Sequence, residues 1–256
     1  MKNALIASAV LLVALPNAGR AEESAAAILR KSRERGAINL LDLSAEMKLT
    51  TVDKAGEKKE QVVTTAARRV EGRDRTITRF LSPPGVAGVT VLTVEGAKGE
   101  GDEISLYLPK LKRVRKVARS QRGESFMQTD FNYADLGATG GTDEASVQRR
   151  ADAKVEGRDV YVLAGTAGAD SPYGQVVAHV DQQTYVPLRV EYSDKDGKPF
   201  KVYRTVKQRK FKDRVFAAES VMENLKTGSR TTLEVTRLED SKLGDDAFTE
   251  RALERG

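Results

Sequence analysis

Beyond residue 40, the chain reads as a series of short segments in which side chains alternate at every second position. In Ser44–Val52, Ala45, Met47 and Leu49 fall on one side, and mostly charged or hydroxyl residues fall on the other. A period of two is typical of β-strands with one buried face. Turn sequences such as Asp-Lys-Ala-Gly at 53–56 separate the segments, and short turns join antiparallel neighbours. The pattern predicts a mainly antiparallel sheet, with strands over Ser44–Val52, Thr76–Leu81, Val89–Val94, Ile104–Leu108, Val160–Ala164, Val176–Val180, Leu188–Tyr192, Val202–Val206 and Leu233–Leu238.

Helical signals are few. A helix is predicted over Glu22 to Arg35, with Ser24 as its N-cap and Gly36 as its end, and the other candidates are Asp245–Glu254 and part of 120–137. Some strands, such as Val89–Val94, are apolar on both faces and require cover on both. A curved sheet with too few helices to fill its concave face would leave an apolar cavity.

One long stretch, Ala118 to Glu144, interrupts the alternation. It contains Phe126, Phe131 and Tyr133 within eight residues and ends in a glycine-rich run. A long irregular segment inside a sheet protein is usually functional or disordered, and the apolar content argues against disorder. We expect something apolar to cover these side chains.

Composition excludes several kinds of chemistry. The 256 residues include no cysteine and one histidine, which rules out disulfides, thiolate metal sites and cysteine nucleophiles and leaves little room for a zinc enzyme. Charged residues make up 31% and hydrophobic residues 39%, as is typical of a soluble globular protein. No cofactor and no metal site is predicted, and the chain is not expected to be an enzyme.

The first 21 residues have the layout of a cleavable signal peptide. Lys2 gives a positive start, Ala4 to Leu15 an apolar core, and Gly19-Arg20-Ala21 a small-x-small ending. The apolar core is too short for a stable membrane span, although an N-terminal anchor is the alternative. No cysteine follows the cleavage site, so no lipid anchor is expected. The sequence predicts a soluble periplasmic protein with a signal peptide over 1–21 and a single domain over 22–256.

Several sequence blocks, in consistent order along the mature chain, carry a family resemblance: Arg79 to Gly88 (RFLSPPGVAG), Leu106 to Pro109 (LYLP), Arg113 to Ala118 (RVRKVA), Ser125 to Leu136 (SFMQTDFNYADL), Val180 to Leu188 (VDQQTYVPL), Glu191 to Lys198 (EYSDKDGK) and Asp246 to Leu253. Together they resemble the outer-membrane lipoprotein-sorting protein family, a branch of the LolA-like lipoprotein carriers. The resemblance spans most of the mature chain.

This resemblance implies an incomplete β-barrel, curved around an apolar cavity, with short helices as a lid. It also implies a periplasmic carrier that binds the acyl chains of lipoproteins, or another lipid-like molecule, and catalyses no reaction. Such a carrier would move its cargo between the inner and outer membranes, with an inner-membrane transporter and an outer-membrane acceptor as possible partners. It would make only transient membrane contact and bind no nucleic acid.

The candidates for the cavity and the lid are apolar residues from predicted strands and from the irregular segment. They are Phe80, Val89, Val91, Leu106, Leu108, Phe126, Met127, Phe131 and Tyr133. From the residues alone, an ordinary closed core is an equally good interpretation. Only the family resemblance favours a ligand cavity.

The densest charge feature is the basic run from Lys110 to Arg122. Its central residues, Lys112, Arg113, Arg115 and Lys116, are candidates for contact with a partner or with lipid headgroups. A solvated strand face is the alternative, because Val114 lies between two arginines.

Two further functional hypotheses remain open. The chain could be a non-enzymatic accessory subunit of an envelope transport complex that docks through its basic face. The least favoured hypothesis is a hydrolase of an envelope polymer, for which His179 is the residue to test. The sequence contains no nucleophile, phosphate-binding or metal motif in the required context.

Overall fold

The structure is a computed structural model, and it describes residues 23–36, 40–97, 101–137, 144–167 and 171–255. The predicted signal peptide lies outside the described residues. One antiparallel sheet of 13 strands dominates the fold, in the order β6-β5-β4-β3-β2-β1-β13-β12-β11-β10-β9-β8-β7. No pairing joins β6 to β7 among the described strands, so the curved sheet is not closed and these two strands are its edges.

The elements follow the chain almost without interruption. The strands are β1 (Leu43–Val52), β2 (Lys58–Val70), β3 (Arg73–Ser82), β4 (Thr90–Val94), β5 (Glu103–Leu108), β6 (Arg113–Lys116), β7 (Gln148–Val155), β8 (Arg158–Thr166), β9 (Gln175–Asp181), β10 (Pro187–Ser193), β11 (Pro199–Phe211), β12 (Arg214–Asn224) and β13 (Ser229–Asp240). The helices are α1 (Ala25–Arg33) and α2 (Glu250–Arg255), with short 3-10 turns at Arg119–Gln121, Tyr133–Leu136, Glu144–Ser146 and Asp245–Ala247. Neither α-helix is long and apolar enough to cross a membrane.

The predicted mainly β fold, with its curved and incomplete antiparallel sheet, is confirmed. Four strands, β2, β6, β7 and β12, were not predicted. In β7 nearly every side chain is exposed, so its sequence QRRADAKV carries no buried face to reveal it. The predicted N-cap of the first helix is also present, since the Ser24 hydroxyl accepts a hydrogen bond from the backbone N–H of Ala27 at 3.3 Å.

The sheet has two unequal faces. The inner face carries the large hydrophobic cluster, to which β4 contributes Val91, and the outer face carries two small clusters. Leu92, the next residue of β4, packs on the outer face against Phe248 and Leu253 near α2. Ile28 of α1 packs on the outer face of β8 against Leu163. The two α-helices therefore cover the outer face, whereas the helical turns over the inner face belong to the irregular segment.

Because all pairings are antiparallel, alternate connections meet at the same end of the sheet. The connections β1–β2, β3–β4, β5–β6, β8–β9, β10–β11 and β12–β13 lie at one end, which we call the upper end. The segment after β6 starts at the lower end and reaches β7 at the upper end, so it crosses the sheet from end to end.

Candidate functional site

The inner face of the sheet is covered by the irregular segment rather than by a strand or an α-helix. We call residues 117–137 the plug. Its buried apolar side chains, Val117, Phe126, Phe131, Tyr133, Ala134 and Leu136, belong to the same cluster as the inner-face residues of the strands. The plug thus fills the place where the sequence predicted a cavity.

All nine predicted cavity residues meet in this one cluster. Phe80, Val89, Val91 and Leu106 are buried on the sheet side, and the three aromatic residues of the plug face them; the partly buried Leu108 and Met127 pack at the margin. The rings of Phe80 and Phe126 stand edge to face, with centroids 5.4 Å apart, and Phe126 and Tyr133 do the same at 5.6 Å. That these residues bind a ligand stays a prediction.

One small cavity under the plug lies among described residues. A cavity of about 30 Å³ lies between the plug and strands β1, β2, β3 and β13. It is lined by Met47, Leu49, Val63, Thr65, Thr78, Phe126, Phe131, Leu136 and Leu233. Pockets that enclose organic ligands usually measure about 300–1,000 Å³. This cavity therefore has no room for an acyl chain unless the plug moves.

A buried ion pair ties the plug to the sheet. Lys201 of β11 has a side chain with 0% exposure, and its Nζ lies 2.7 Å from Oδ2 of Asp135 in the plug. The same ammonium group donates to the backbone carbonyl of Asp130 at 3.0 Å and to Oδ1 of Asn132 at 2.9 Å. Three acceptors thus use all three hydrogens of the ammonium group, as a buried charge requires.

Aromatic rings complete the surroundings of this lysine. Its Nζ lies 5.1 Å from the ring centroid of Tyr173, 5.7 Å from that of Tyr192 and 5.6 Å from that of Phe200. At these distances ring faces attract a cation. The hydroxyl of Tyr173 also donates to Oδ1 of Asp135 at 2.7 Å. Both oxygens of the Asp135 carboxylate are therefore held.

A second polar contact anchors the plug at β13. The backbone N–H of Asp130 donates to the Thr231 hydroxyl at 2.9 Å, and that hydroxyl donates to Oδ2 of Asp130 at 2.8 Å. Ser229 donates to the other oxygen of the same carboxylate. At the upper end, Nε2 of Gln61 donates to the carbonyl of Met127 at 3.2 Å. The plug is fastened mainly through side chains.

Burial also affects three tyrosines beside this polar centre. Desolvation raises the pKa of Tyr173 and Tyr192 well above the usual range, and the nearby charge of Asp135 adds to the rise. The pKa of Tyr203 is also raised, by burial above all, although the hydrogen bond from Thr205 opposes the rise. All three phenols stay neutral at ordinary pH.

Lys201 and its partners in the plug were not among the predicted site residues. Asp130, Asn132 and Asp135 are the signal that could have found them, because they are polar residues inside an otherwise apolar run. Such residues require partners when the run is buried. Nothing in the sequence identifies which of the many cations supplies that partner.

The four predicted contact residues of the basic run lie on the edge strand β6 and in the hairpin before it. Lys112, Arg113 and Arg115 are exposed. Lys116 differs, since its Nζ lies 3.1 Å from a carboxylate oxygen of Glu103 and 3.6 Å from one of Glu250. Three of the four predicted contact residues are therefore available on the surface, and the fourth is engaged near α2.

The structure adds no support for a catalytic or metal centre at the remaining motifs. His179 lies within β9, opposite Val162 of β8. Among the described residues, no group of three or more His, Asp or Glu side chains is placed to hold a metal ion. The Asp194–Gly197 sequence forms the β10–β11 turn, where the Asp194 carboxylate accepts hydrogen bonds from the backbone of Asp196 and Lys198.

Comparisons with known proteins agree with the fold. A family model described as "Uncharacterized protein" matches residues 72–255. A solved structure from Vibrio parahaemolyticus, whose description proposes an outer membrane lipoprotein-sorting protein domain, is 27% identical with a TM-score of 0.79, and the match covers 91% of this chain and 98% of that one. The search of curated proteins found no match to this chain.

Two more distant structures share the architecture. A DUF1329 family protein from Desulfovibrio piger has a TM-score of 0.78 at 22% identity, covering 90% of this chain and 97% of that one. A LolA superfamily protein from Nitrosomonas europaea has a TM-score of 0.70 at 19% identity, covering 90% and 99%. Because the family model covers residues 72–255, the chain belongs to that family, and it shares the fold of the lipoprotein-sorting domain structure and of the LolA superfamily protein.

Proposed function

We propose that the mature chain is a periplasmic carrier that binds the acyl chains of a lipoprotein, or of another lipid-like molecule, on the inner face of its sheet. It moves this cargo between the inner and outer membranes. The observation that carries the proposal is the plug: an apolar sheet face is covered by an irregular segment held through side chains. Such a cover can be displaced without unpairing the strands beneath it.

The magnitudes are compatible with reversible binding. Burying a methylene contributes about 0.8 kcal/mol, so a sixteen-carbon chain contributes roughly 12 kcal/mol when fully covered. Displacing the plug exposes Phe126, Phe131 and Leu136, which are at most 8% exposed in the closed form. Re-exposing three such side chains costs roughly 5–9 kcal/mol. Displacing the plug also breaks the contacts of Lys201 with Asp130, Asn132 and Asp135, so the gain and the cost are of similar size and the cargo can depart.

The location of this activity rests on the sequence. The predicted signal peptide over 1–21 favours export, and one domain over 22–256 forms the carrier. The lipoprotein-sorting description of the Vibrio parahaemolyticus structure supports the same class of cargo. The carrier requires neither a catalytic residue nor a cofactor.

The direct test is binding of a fluorescent fatty acid by the purified mature chain, together with mass spectrometry of lipids extracted after gentle purification. We expect saturable binding and co-purified acyl lipids. A Phe80→Asp variant, which places a charge on the inner face, should lose both if it remains folded by circular dichroism. A wild-type chain that binds no acyl probe and carries no lipid would contradict the proposal.

A second candidate function is that of an accessory subunit that docks on an envelope transport complex through its basic face. The observation favouring it is the exposure of Arg113 and Arg115 on the edge strand β6, which pairs with β5 on one side and with no described strand on the other. An Arg113→Glu/Arg115→Glu variant should then lose partner binding in a pull-down while retaining the acyl probe. Equal partner binding by variant and wild type would exclude this docking mode.

A further inference from the structure

Exposed leucines gather at the upper end of the sheet. Of the five large hydrophobic residues that are exposed in the described chain, Leu81 at 45%, Leu111 at 63% and Leu225 at 48% lie at this end. Leu81 is near the end of β3, Leu111 is in the β5–β6 hairpin, and Leu225 follows β12. Single exposed leucines are ordinary, but three on one end of an otherwise polar surface are not.

Two of these leucines belong to one corner. The β3–β4 connection and the β5–β6 hairpin touch, because a Cβ added at Gly88 would lie 3.3 Å from the side chain of Pro109. Leu111 is the most exposed large hydrophobic residue described, and it stands at a hairpin tip rather than in a groove. A projecting leucine of this kind can enter an apolar phase without any rearrangement of the sheet.

The charge of this corner has one sign. Lys110 and Lys112 flank the exposed leucine, Arg113 follows, and no acidic residue occurs between Ile104 and Gly123. The side chains of these three residues are exposed and make no hydrogen bond or ion pair with any other described residue. Leucine between unpaired cations matches a bilayer surface, which offers anionic headgroups above hydrocarbon. An acidic protein surface would satisfy the cations but would leave the leucines in water.

We propose that this corner, made of Leu81, Lys110, Leu111, Lys112 and Arg113, docks the protein on anionic lipid membranes. The inference rests on the proposed carrier function, since it places the upper end of the plug at the membrane. Met127, at that end of the plug, has its carbonyl bonded to Gln61 of β2. Membrane contact would therefore occur where cargo leaves or enters the inner face.

The test is cosedimentation of the mature chain with vesicles of phosphatidylglycerol and phosphatidylethanolamine, compared with phosphatidylcholine vesicles. Each cation at an anionic surface contributes roughly fivefold to affinity. A Lys110→Gln/Lys112→Gln/Arg113→Gln variant should therefore bind about a hundredfold more weakly. Salt at ~1 M should release the wild type, because the Debye length then falls to about 3 Å.

Two matched controls use the lower end of the sheet. A Lys154→Gln/Arg158→Gln/Lys212→Gln variant removes three cations in or next to the turns at that end, each paired with a carboxylate, and Leu243→Gln removes an exposed leucine there. Both should bind vesicles like the wild type, whereas Leu111→Gln should bind clearly more weakly. Equal loss in the upper-end and lower-end variants would overturn the proposal, as would a wild type that binds polyglutamate but not anionic vesicles.

Acyl-probe binding without vesicles separates this inference from the carrier function. The upper-end charge variant should bind the fluorescent fatty acid like the wild type. If the wild type binds the probe but not the vesicles, the docking surface is wrong and the carrier proposal stands. If it binds vesicles but never the probe, the carrier proposal fails instead.

Discussion

At the scale of the residue, Lys201 shows how a charge can be built into an apolar interior. Its ammonium group has three oxygen acceptors at 2.7–3.0 Å and three aromatic rings around it. The favourable contacts offset the cost of removing the cation from water only while all of them are present. Lys201 therefore holds the plug against β11.

Lys201→Met is expected to lower the free energy of unfolding by about 3–5 kcal/mol, because it leaves the buried carboxylate of Asp135 without its cation. Adding Asp135→Asn should recover part of this loss in the free energy of unfolding. The sum of the losses in the two single variants should therefore exceed the loss in the double variant. Denaturant unfolding of all four proteins measures this cycle. A loss below about 1 kcal/mol in Lys201→Met would show that the pair does not hold the closed form.

The sequence indicated the apolar partners at this scale far better than the polar ones. Phe80 and Phe126 were predicted from hydrophobicity and meet in the inner cluster. The ion pair between Lys201 and Asp135 joins positions 66 residues apart in the chain. Only the sheet order brings β11 to the plug, and no local pattern encodes that order.

At the scale of the element, the plug differs from the strands in how it is bonded. Within residues 118–137 the backbone hydrogen bonds among described residues run to the segment itself, such as Phe126 N–H to the Phe131 carbonyl at 2.7 Å. Apart from the Val117 N–H, which donates to the Ile104 carbonyl of β5 at 2.8 Å, its hydrogen bonds to the sheet among described residues each use a side chain of one of the two partners. The plug can therefore move as a unit.

A disulfide provides the test of that movement. Asp130→Cys/Thr231→Cys joins the plug to β13 at a backbone-to-hydroxyl contact of 2.9 Å, and the chain has no other cysteine to compete. Oxidation should abolish acyl-probe binding, and reduction should restore it. The single-cysteine variants serve as controls. Undiminished binding in the fully oxidised protein, with the bond verified by mass spectrometry, would mean that cargo binds without displacement of the plug.

Most strands with one exposed and one buried face were predictable, although β2 and β12 also alternate in burial and were not predicted. In β1 every second residue from Leu43 to Leu49 is buried, and the alternation in the sequence shows it. At the edges this contrast disappears, and β6 and β7 were missed for that reason. The face covered by the α-helices also could not be predicted, because strands such as β4 are apolar on both sides.

At the scale of the whole molecule, the buried tyrosines predict a loss of stability at high pH. Tyr173, Tyr192 and Tyr203 have raised pKa values in the folded state. Below the unfolded-state pKa of about 10, folded and unfolded chains are equally protonated at these sites. Above it the unfolded chain loses protons first, so stability falls as pH rises, by up to about 1.4 kcal/mol per pH unit for each tyrosine.

Unfolding in denaturant between pH 9 and about 11.5 measures this slope. Tyr203→Phe should make it shallower above pH 10, by at most about 1.4 kcal/mol per pH unit, whatever its effect on stability at neutral pH. A slope unchanged by the substitution would show that this phenol ionises as readily in the folded chain as in the unfolded one.

The two edges of the sheet are joined in the chain by the stretch that contains the plug. Since β6 ends at Lys116 and β7 begins at Gln148, the plug is also part of the connection between the two edge strands of the open sheet. In the proposed carrier, widening the gap between β6 and β7 would let hydrocarbon tails of different widths fit on the inner face, while every strand pairing stays intact. The width of the proposed binding site on the inner face would then be adjustable.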